Sequence, residues 1–230
     1  MLARNFLRAL FLILVILGFA TLLSVEAPVS ALDLNDFVIF VDTGSSTSFT
    51  IPIYNDLSLV YNYNVDCGDG SGTTGANTSY TCNYTAGGTY TIRIGDNVGN
   101  GTGFPRIYFN GGPEADKLLA IAQWGTGHWT SMANAFKGCS NLTIEATDAP
   151  DLSGVTDMSG MFDSAVSLNQ PIGHWNTGNV TNMSRMFNSA IAFNQPIGEW
   201  NTGNVEDMSQ MFNNASSFDQ YIGGWSTDNV

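Results

Sequence analysis

Charge is scarce in this chain, and positive charge above all. Only 7 of its 230 residues are Lys or Arg, against 20 Asp or Glu, which leaves a formal net charge of −13. A nucleic-acid partner needs a basic footprint for its phosphates, so the balance argues against that class of function. It argues equally against docking on an anionic membrane surface. Histidine is scarcer still, with only His128 and His174. Neither has a Ser or Cys partner at a known spacing, and two lone histidines make a poor metal site. The sequence therefore predicts no catalytic residue, no metal and no cofactor. Cysteine is limited to three residues, so at least one is unpaired within a monomer.

Long apolar runs are also missing, save one at the start. Arg4 and Arg8 precede the run from Ala9 to Leu23, and Pro28 and the small-residue segment Val29-Ser30-Ala31 follow it. A basic start, an apolar centre and a small-x-small end mark a secretory signal over 1–31, cleaved after Ala31 or Ala27. The run of about fifteen residues falls short of the roughly 20 that span a bilayer. Membrane contact is thus expected only through an uncleaved amino-terminal anchor. The expected location is secreted or at the cell surface, where disulfides persist. Cys67 and Cys82 lie fifteen residues apart in two strand-like segments, as cross-strand neighbours would, and are expected to pair. Cys139 is then a small buried apolar residue.

What the chain has in abundance is repetition. Val155 opens VTDMSGMFDSAVSLNQPIGHWNTGN, Val180 opens VTNMSRMFNSAIAFNQPIGEWNTGN, and Val205 opens VEDMSQMFNNASSFDQYIGGWSTDN. A 25-residue period signals a solenoid in which no unit buries its apolar face alone. Met183, Met186, Phe187 and Ala190 fall at i, i+3, i+4 and i+7, which predicts a short helix. Asn194-Gln195-Pro196 breaks it, and the Pro-Ile-Gly-x-Trp piece that follows is expected to supply one strand per coil. Val155/Val180/Val205, Phe162/Phe187/Phe212 and Trp175/Trp200/Trp225 should stack as core. Trp129-Thr-Ser-Met132, Ala135-Phe136, Cys139 and Leu142 repeat the pattern in degenerate form. No cap is visible near Val230, which suggests a fragment of a longer protein.

The pattern Val-Thr-x-Met-Ser-x-Met-Phe-x-x-Ala-x-x-Phe-Asn-Gln-Pro-Ile-Gly-x-Trp-Asn-Thr resembles the BspA-like bacterial surface leucine-rich repeats. The segment Ala135-Phe-Lys-Gly-Cys-Ser-Asn-Leu142 is similar to that family's Ala-Phe-x-x-Cys-x-x-Leu signature. The resemblance covers roughly 124–230. It implies a leucine-rich-repeat-like α/β coil and a surface protein of adhesion or recognition, with no particular ligand.

Residues 37–109 read as strands Phe37–Val41, Ser48–Ile53, Tyr61–Val65, Thr89–Ile94 and Arg106–Phe109, at the spacing of a small sandwich. Tyr61-Asn-Tyr-Asn-Val-Asp-Cys-Gly-Asp-Gly70, followed by Tyr84-Thr-Ala-Gly-Gly-Thr-Tyr-Thr-Ile92, resembles the polycystic-kidney-disease-type, immunoglobulin-like module. Cys67 stands where that family carries Trp, and no His precedes Tyr84; a Cys67–Cys82 bridge fits the place of the lost aromatic packing. The resemblance implies a spacer or presenting domain. The expected fold is thus mixed: a small all-β immunoglobulin-like sandwich over 32–112, a linker with a degenerate first repeat over 113–154, and an α/β solenoid of three repeats over 155–230.

Two chemical readings compete with a purely recognitional one. Val41-Asp42-Thr43-Gly44-Ser45-Ser46 looks like the active-site segment of pepsin-type aspartic proteases. Those enzymes need two such aspartates sharing a proton, and no second Asp-Thr/Ser-Gly follows an apolar strand here. An ordinary β-turn explains Asp42 as well. Asp66, Asp69 and Asp96 could cluster on calcium, although solvated turn carboxylates are the plainer reading. Lastly, positions that vary between repeats are where a solenoid binds: Gly160/Arg185/Gln210, Val166/Ile191/Ser216 and His174/Glu199/Gly224. His174, Glu199, Arg185 and Gln210 are the candidate ligand-binding residues. The expected function is recognition or adhesion toward an extracellular protein or polysaccharide, with a passive structural stalk as the alternative.

Overall fold

The structure, a computed structural model, describes residues 33–230; the signal expected over 1–31 lies outside them. The amino-terminal half is built on β1 (Phe37–Asp42), β2 (Ser48–Thr50), β3 (Tyr63–Asp66), β4 (Gly72–Ala76), β5 (Thr81–Asn83) and β6 (Thr89–Asp96). A single 3-10 turn, Ala115–Lys117, leads into β7 (Leu118–Gln123), and β8 (Thr143–Ile144) follows. Six strands form one sheet in the order β4-β3-β6-β1-β7-β8, and β2 pairs with β5 in a separate two-stranded sheet. All pairs are antiparallel except β7 with β8, so the large sheet is mixed.

β1 explains why the core sits where it does. Val38 and Ile39 point to opposite faces and both are fully buried, so this apolar run is covered on two sides, as a central strand must be. Ile39 and Val41 belong to the same buried cluster as Phe49, Ile51 and the Cys67–Cys82 disulfide. That bridge ties the residue after β3 to β5, joining the two sheets rather than two neighbouring strands. Tyr84 Oη donates to the Cys67 carbonyl at 3.1 Å and closes the same corner.

From Trp129 onward the chain winds into stacked coils, and here the expected α/β solenoid is corrected. The fold is nearly all-β, and among the described residues no α-helix exists. The reason lies in where the amides go. From Met158 to Ser164 alternate amides leave the coil: those of Met158, Gly160, Phe162 and Ser164 donate to Asn182, Ser184, Met186 and Asn188 of the next coil at 2.7–2.9 Å. The amides between them close β-turns, Met161 to Met158, Asp163 to Gly160 and Ala165 to Phe162. No donor is left for the i→i−4 bonds of a helix, and every one is satisfied without them.

Two residues in each coil hold the left-handed conformation at the third turn position: Gly160 and Ser164, Arg185 and Ser189, Gln210 and Asn214, all with φ between 56° and 64°. Asp157, Asn182 and Asp207 begin the turns by accepting the amides of Ser159, Ser184 and Ser209 at 2.8–2.9 Å. Consecutive four-residue turns put Met158, Met161, Phe162 and Ala165 inside, the spacing a helix would also give. The Pro-Ile-Gly-x-Trp piece is likewise not a strand. The sole parallel bridges that link one 25-residue repeat to the next among the described residues are Asp157–Asn182 and Asn182–Asp207.

The stacked core is an aromatic column. Phe109, Phe136, Phe162, Phe187 and Phe212 follow one another at 5.7–6.1 Å, and Phe49 extends the column into the sheets at 6.4 Å. Trp200 stacks on Trp225 at 6.4 Å, whereas Trp175 meets Trp124 edge-on at 5.5 Å. The segment 109–111 lies on the first coil as a rung, its amides donating to Ala135, Asn134 and Lys137. Arg106–Phe109, expected as a strand, makes only the bridge Ile53–Ile107.

Candidate functional site

The solenoid turns its sequence period into columns. His174 and Glu199 are exposed and occupy equivalent places, each in the turn that brings Ile172 O to Trp175 N or Ile197 O to Trp200 N at 3.2 Å. The backbone beneath them is held closely. A Cβ on Gly173 would stand 2.3 Å from the Pro196 carbonyl oxygen, and one on Gly198 would stand 2.6 Å from that of Tyr221. Only glycine permits this approach. Trp200 Nε1 donates to Ile172 O at 3.1 Å and Trp225 Nε1 to Ile197 O at 3.0 Å, clamping each turn to the following coil. His174 and Glu199 thus project from a rigid frame while their own side chains stay in solvent.

Arg185 and Gln210 fall in a second column, at the left-handed turn position they share with Gly160. Both are exposed. Arg185 is not a free cation, because its Nε lies 3.8 Å from Asp163 Oδ2. The structure therefore divides the four candidate residues into two pairs belonging to different turns of the coil.

Sequence reasoning missed the feature that lies beside Arg185. Asp163 and Asn188 are buried at equivalent places of consecutive coils, and Asn213 continues the line. Asn188 Nδ2 donates to Asp163 Oδ1 at 2.8 Å, and Asn213 Nδ2 donates to Asn188 Oδ1 at 2.8 Å. Ser164 Oγ donates to Asp163 Oδ1 at 2.9 Å, and Lys137 Nζ lies 3.4 Å from its Oδ2. The buried carboxylate is neutralised and hydrogen-bonded, as burial requires. A second ladder runs through Asn169 and Asn194. Asn169 Oδ1 accepts from Asn194 N and Gln195 Nε2, and Asn194 Oδ1 accepts from Asp219 N and Gln220 Nε2, all at 2.8–2.9 Å. The signal was available as a polar residue recurring every 25 positions next to a core Phe.

The other candidates resolve into turns. Asp42 Oδ1 accepts the Gly44 amide at 2.8 Å, and Thr43 Oγ1 donates to the Gly88 carbonyl at 3.1 Å. Asp66 Oδ1 accepts the Gly68 amide, and Asp69 Oδ1 accepts the amide and hydroxyl of Ser71. The Ser71 hydroxyl leads in drawing the Asp69 carboxyl below its ordinary range. Among the described residues no group of three or more His, Cys, Asp or Glu is placed to hold a metal ion. Asp96 gathers four amides: Val98 and Gly103 on Oδ1, Asn100 and Gly101 on Oδ2, at 2.5–2.9 Å. Burial pushes its carboxyl up, but the amides outweigh it and the net shift is downward. His128 Nδ1 is paired with Asp151 Oδ2 at the edge of the first coil. The disulfide expected between Cys67 and Cys82 is present, and Cys139 is a free, buried thiol that burial raises well above its ordinary pKa.

Comparison with known protein families gives a match over part of the chain. A family model described as "Mycoplasma protein of unknown function, DUF285" covers residues 130–230, which are the coils. No curated protein and no solved structure matches the chain.

Proposed function

We propose that the chain is a secreted or cell-surface recognition module that binds an extracellular protein or polysaccharide through the flank of its solenoid. The observation that carries this reading is the column of His174 and Glu199. Two exposed, chemically different side chains occur at equivalent places of a backbone too tightly packed to accept anything but glycine beside them. A frame that fixes its core and varies one exposed column is built to present side chains rather than to perform chemistry. The resemblance of the repeats to BspA-like surface proteins supports the same reading, as does the signal-like start. With a net charge of −13, the partner is expected to be neutral or basic where it meets the module. The two sheets of the amino-terminal half then act as the presenting part, in keeping with the polycystic-kidney-disease-type resemblance.

The test is a screen of the purified monomer against arrays of extracellular proteins and surface polysaccharides. Saturable binding to one class supports recognition. A blank from protein shown to be folded favours a passive stalk instead.

A further inference from the structure

The strands β6, β1 and β7 are neighbours in the large sheet, and the segments that flank their ends meet in one cleft. The chain before β1 supplies Asp33 and Asp36, the loop after β6 supplies Asn100 and Gly101, and the entry to the first coil supplies Thr126 and His128. The cleft holds about 360 Å³, within the range of small-molecule sites. Its walls are tied together through the backbone. Gln123 Nε2 donates to the Asp33 and Asp36 carbonyls at 2.8 and 2.7 Å. Thr126 N donates to the Asn35 carbonyl at 3.1 Å, and His128 N to that of Gly101 at 2.7 Å.

The side chains that line it are mixed in kind. Asp151 holds His128 Nδ1, which leaves Nε2 for the cleft. The ring lies where it does because Gly101 is bare: a Cβ there would stand 2.6 Å from Cδ2 and 3.0 Å from Nε2. Asn100 Oδ1 accepts from the amide and hydroxyl of Thr102, which leaves its Nδ2 as a donor. Thr126 Oγ1 donates to Asn35 Oδ1 at 3.3 Å and keeps its acceptor capacity. Trp129, 1% exposed, borders a smaller hollow that shares Asn35, Asp96 and Gly101 with the cleft. Its Nε1 is a buried donor with no acceptor among the described residues.

This mixture selects the ligand. A metal ion wants converging carboxylates, and among the described residues no group of His, Cys, Asp or Glu is placed to hold one. An ammonium group has no use for the donors of Asn100 and Trp129. A sugar hydroxyl donates and accepts at once, so it answers carboxylate, imidazole and amide together. We propose that the cleft between Asp33, Asn100 and His128 is a binding site for a neutral saccharide. It shares no residue with the column of His174 and Glu199, and it stands whether or not that column binds a ligand.

The experiment records saturation-transfer NMR of the full chain with the methyl glycosides of glucose, galactose, mannose and N-acetylglucosamine, with lactose and cellobiose, and with spermine alongside. Saturable binding of a saccharide is expected, weakened about tenfold or more by His128→Ala and by Asp33→Ala, both at exposed residues. Leu57→Ser, at an exposed site elsewhere in the amino-terminal half, should leave it unchanged. If His128→Ala lowers the melting temperature, Asp33→Ala decides. Binding that both variants leave intact would place the saccharide elsewhere and overturn the proposal. So would a panel in which no saccharide binds, and spermine binding that the two variants abolish would then make the cleft a cation site.

Discussion

Asn188 is where the buried polar ladder is most open to a single change. It is 6% exposed, donates to the Asp163 carboxylate and accepts from Asn213. Asn188→Ala removes one hydrogen bond to a charged group, worth about 1.5–3 kcal/mol, and one between neutral groups, worth about 0.5–1.5 kcal/mol. Asn213 is exposed, so water replaces part of the second loss. Ser164, Lys137 and Arg185 remain around Asp163 and limit the first. The net loss expected is about 2–4 kcal/mol. Asn188→Asp behaves differently, because it sets a second carboxylate against the first in a buried place. Like charges there raise one pKa, so the folded state binds a proton that the unfolded state does not. Stability of this variant then falls as pH rises through that raised pKa and recovers on acidification. Urea unfolding followed by tryptophan fluorescence, at about pH 7 and about pH 5, reads both effects against the parent chain. An Asn188→Ala loss below about 0.5 kcal/mol would refute the ladder's role, as would an Asn188→Asp deficit that fails to shrink at the lower pH.

Further outcomes rest on the backbone contacts, the Asp96 turn and the cysteines. Gly173→Ala forces a methyl to 2.3 Å from a backbone oxygen and should cost about 1–3 kcal/mol in chemical denaturation. Gly160→Ala should cost less, because it meets the Asn134 side chain, which can turn away, and Arg185 and Gln210 already hold the same φ. Asp96→Asn keeps one acceptor oxygen for four amides and should lose about 1–2 kcal/mol by urea midpoint, after allowance for solvent at this half-buried group. Because the Asp96 carboxyl is depressed, its contribution is present above the unfolded pKa of about 3.9 and lost as pH falls through the folded value; the variant should lack that acid step. Thiol titration should find one reactive thiol, Cys139, only after denaturation, and all three cysteines only after reduction as well. Reducing the bridge should lower stability by about 3 kcal/mol for a loop of this length.

The period, the aromatic column and the Cys67–Cys82 pair were legible because each is a property of residue identity at fixed spacing. The turns that stand in place of the expected helix were not. Met183, Met186, Phe187 and Ala190 satisfy a 3.6-residue period, but so do consecutive four-residue turns with one side packed inward. What separates the two is polar. Asn182 before Met183 caps a turn, and Arg185 and Ser189 must then adopt positive φ, which no propensity for Arg foretells. The alternation of amides between coil and neighbour is a tertiary fact, set only once coils stack. β4 and β5 escaped notice because Gly72, Thr73, Thr74, Gly75 and the short Thr81–Asn83 offer little apolar alternation. β7 and β8 were unmarked because their pairing joins the sheet to the first coil. Of the candidate site, the exposed positions were legible from their variation; that Arg185 leans on Asp163 was not, since Asp163 looked like any surface acid.

The most direct test of the account compares the chain with its His174→Ala/Glu199→Ala variant in a titration against the ligand class found by screening. Both side chains are exposed, so the melting temperature should not move, while affinity should fall about tenfold or more. Equal affinity for parent and variant, with both folded, would contradict the claim that this column is what the solenoid presents.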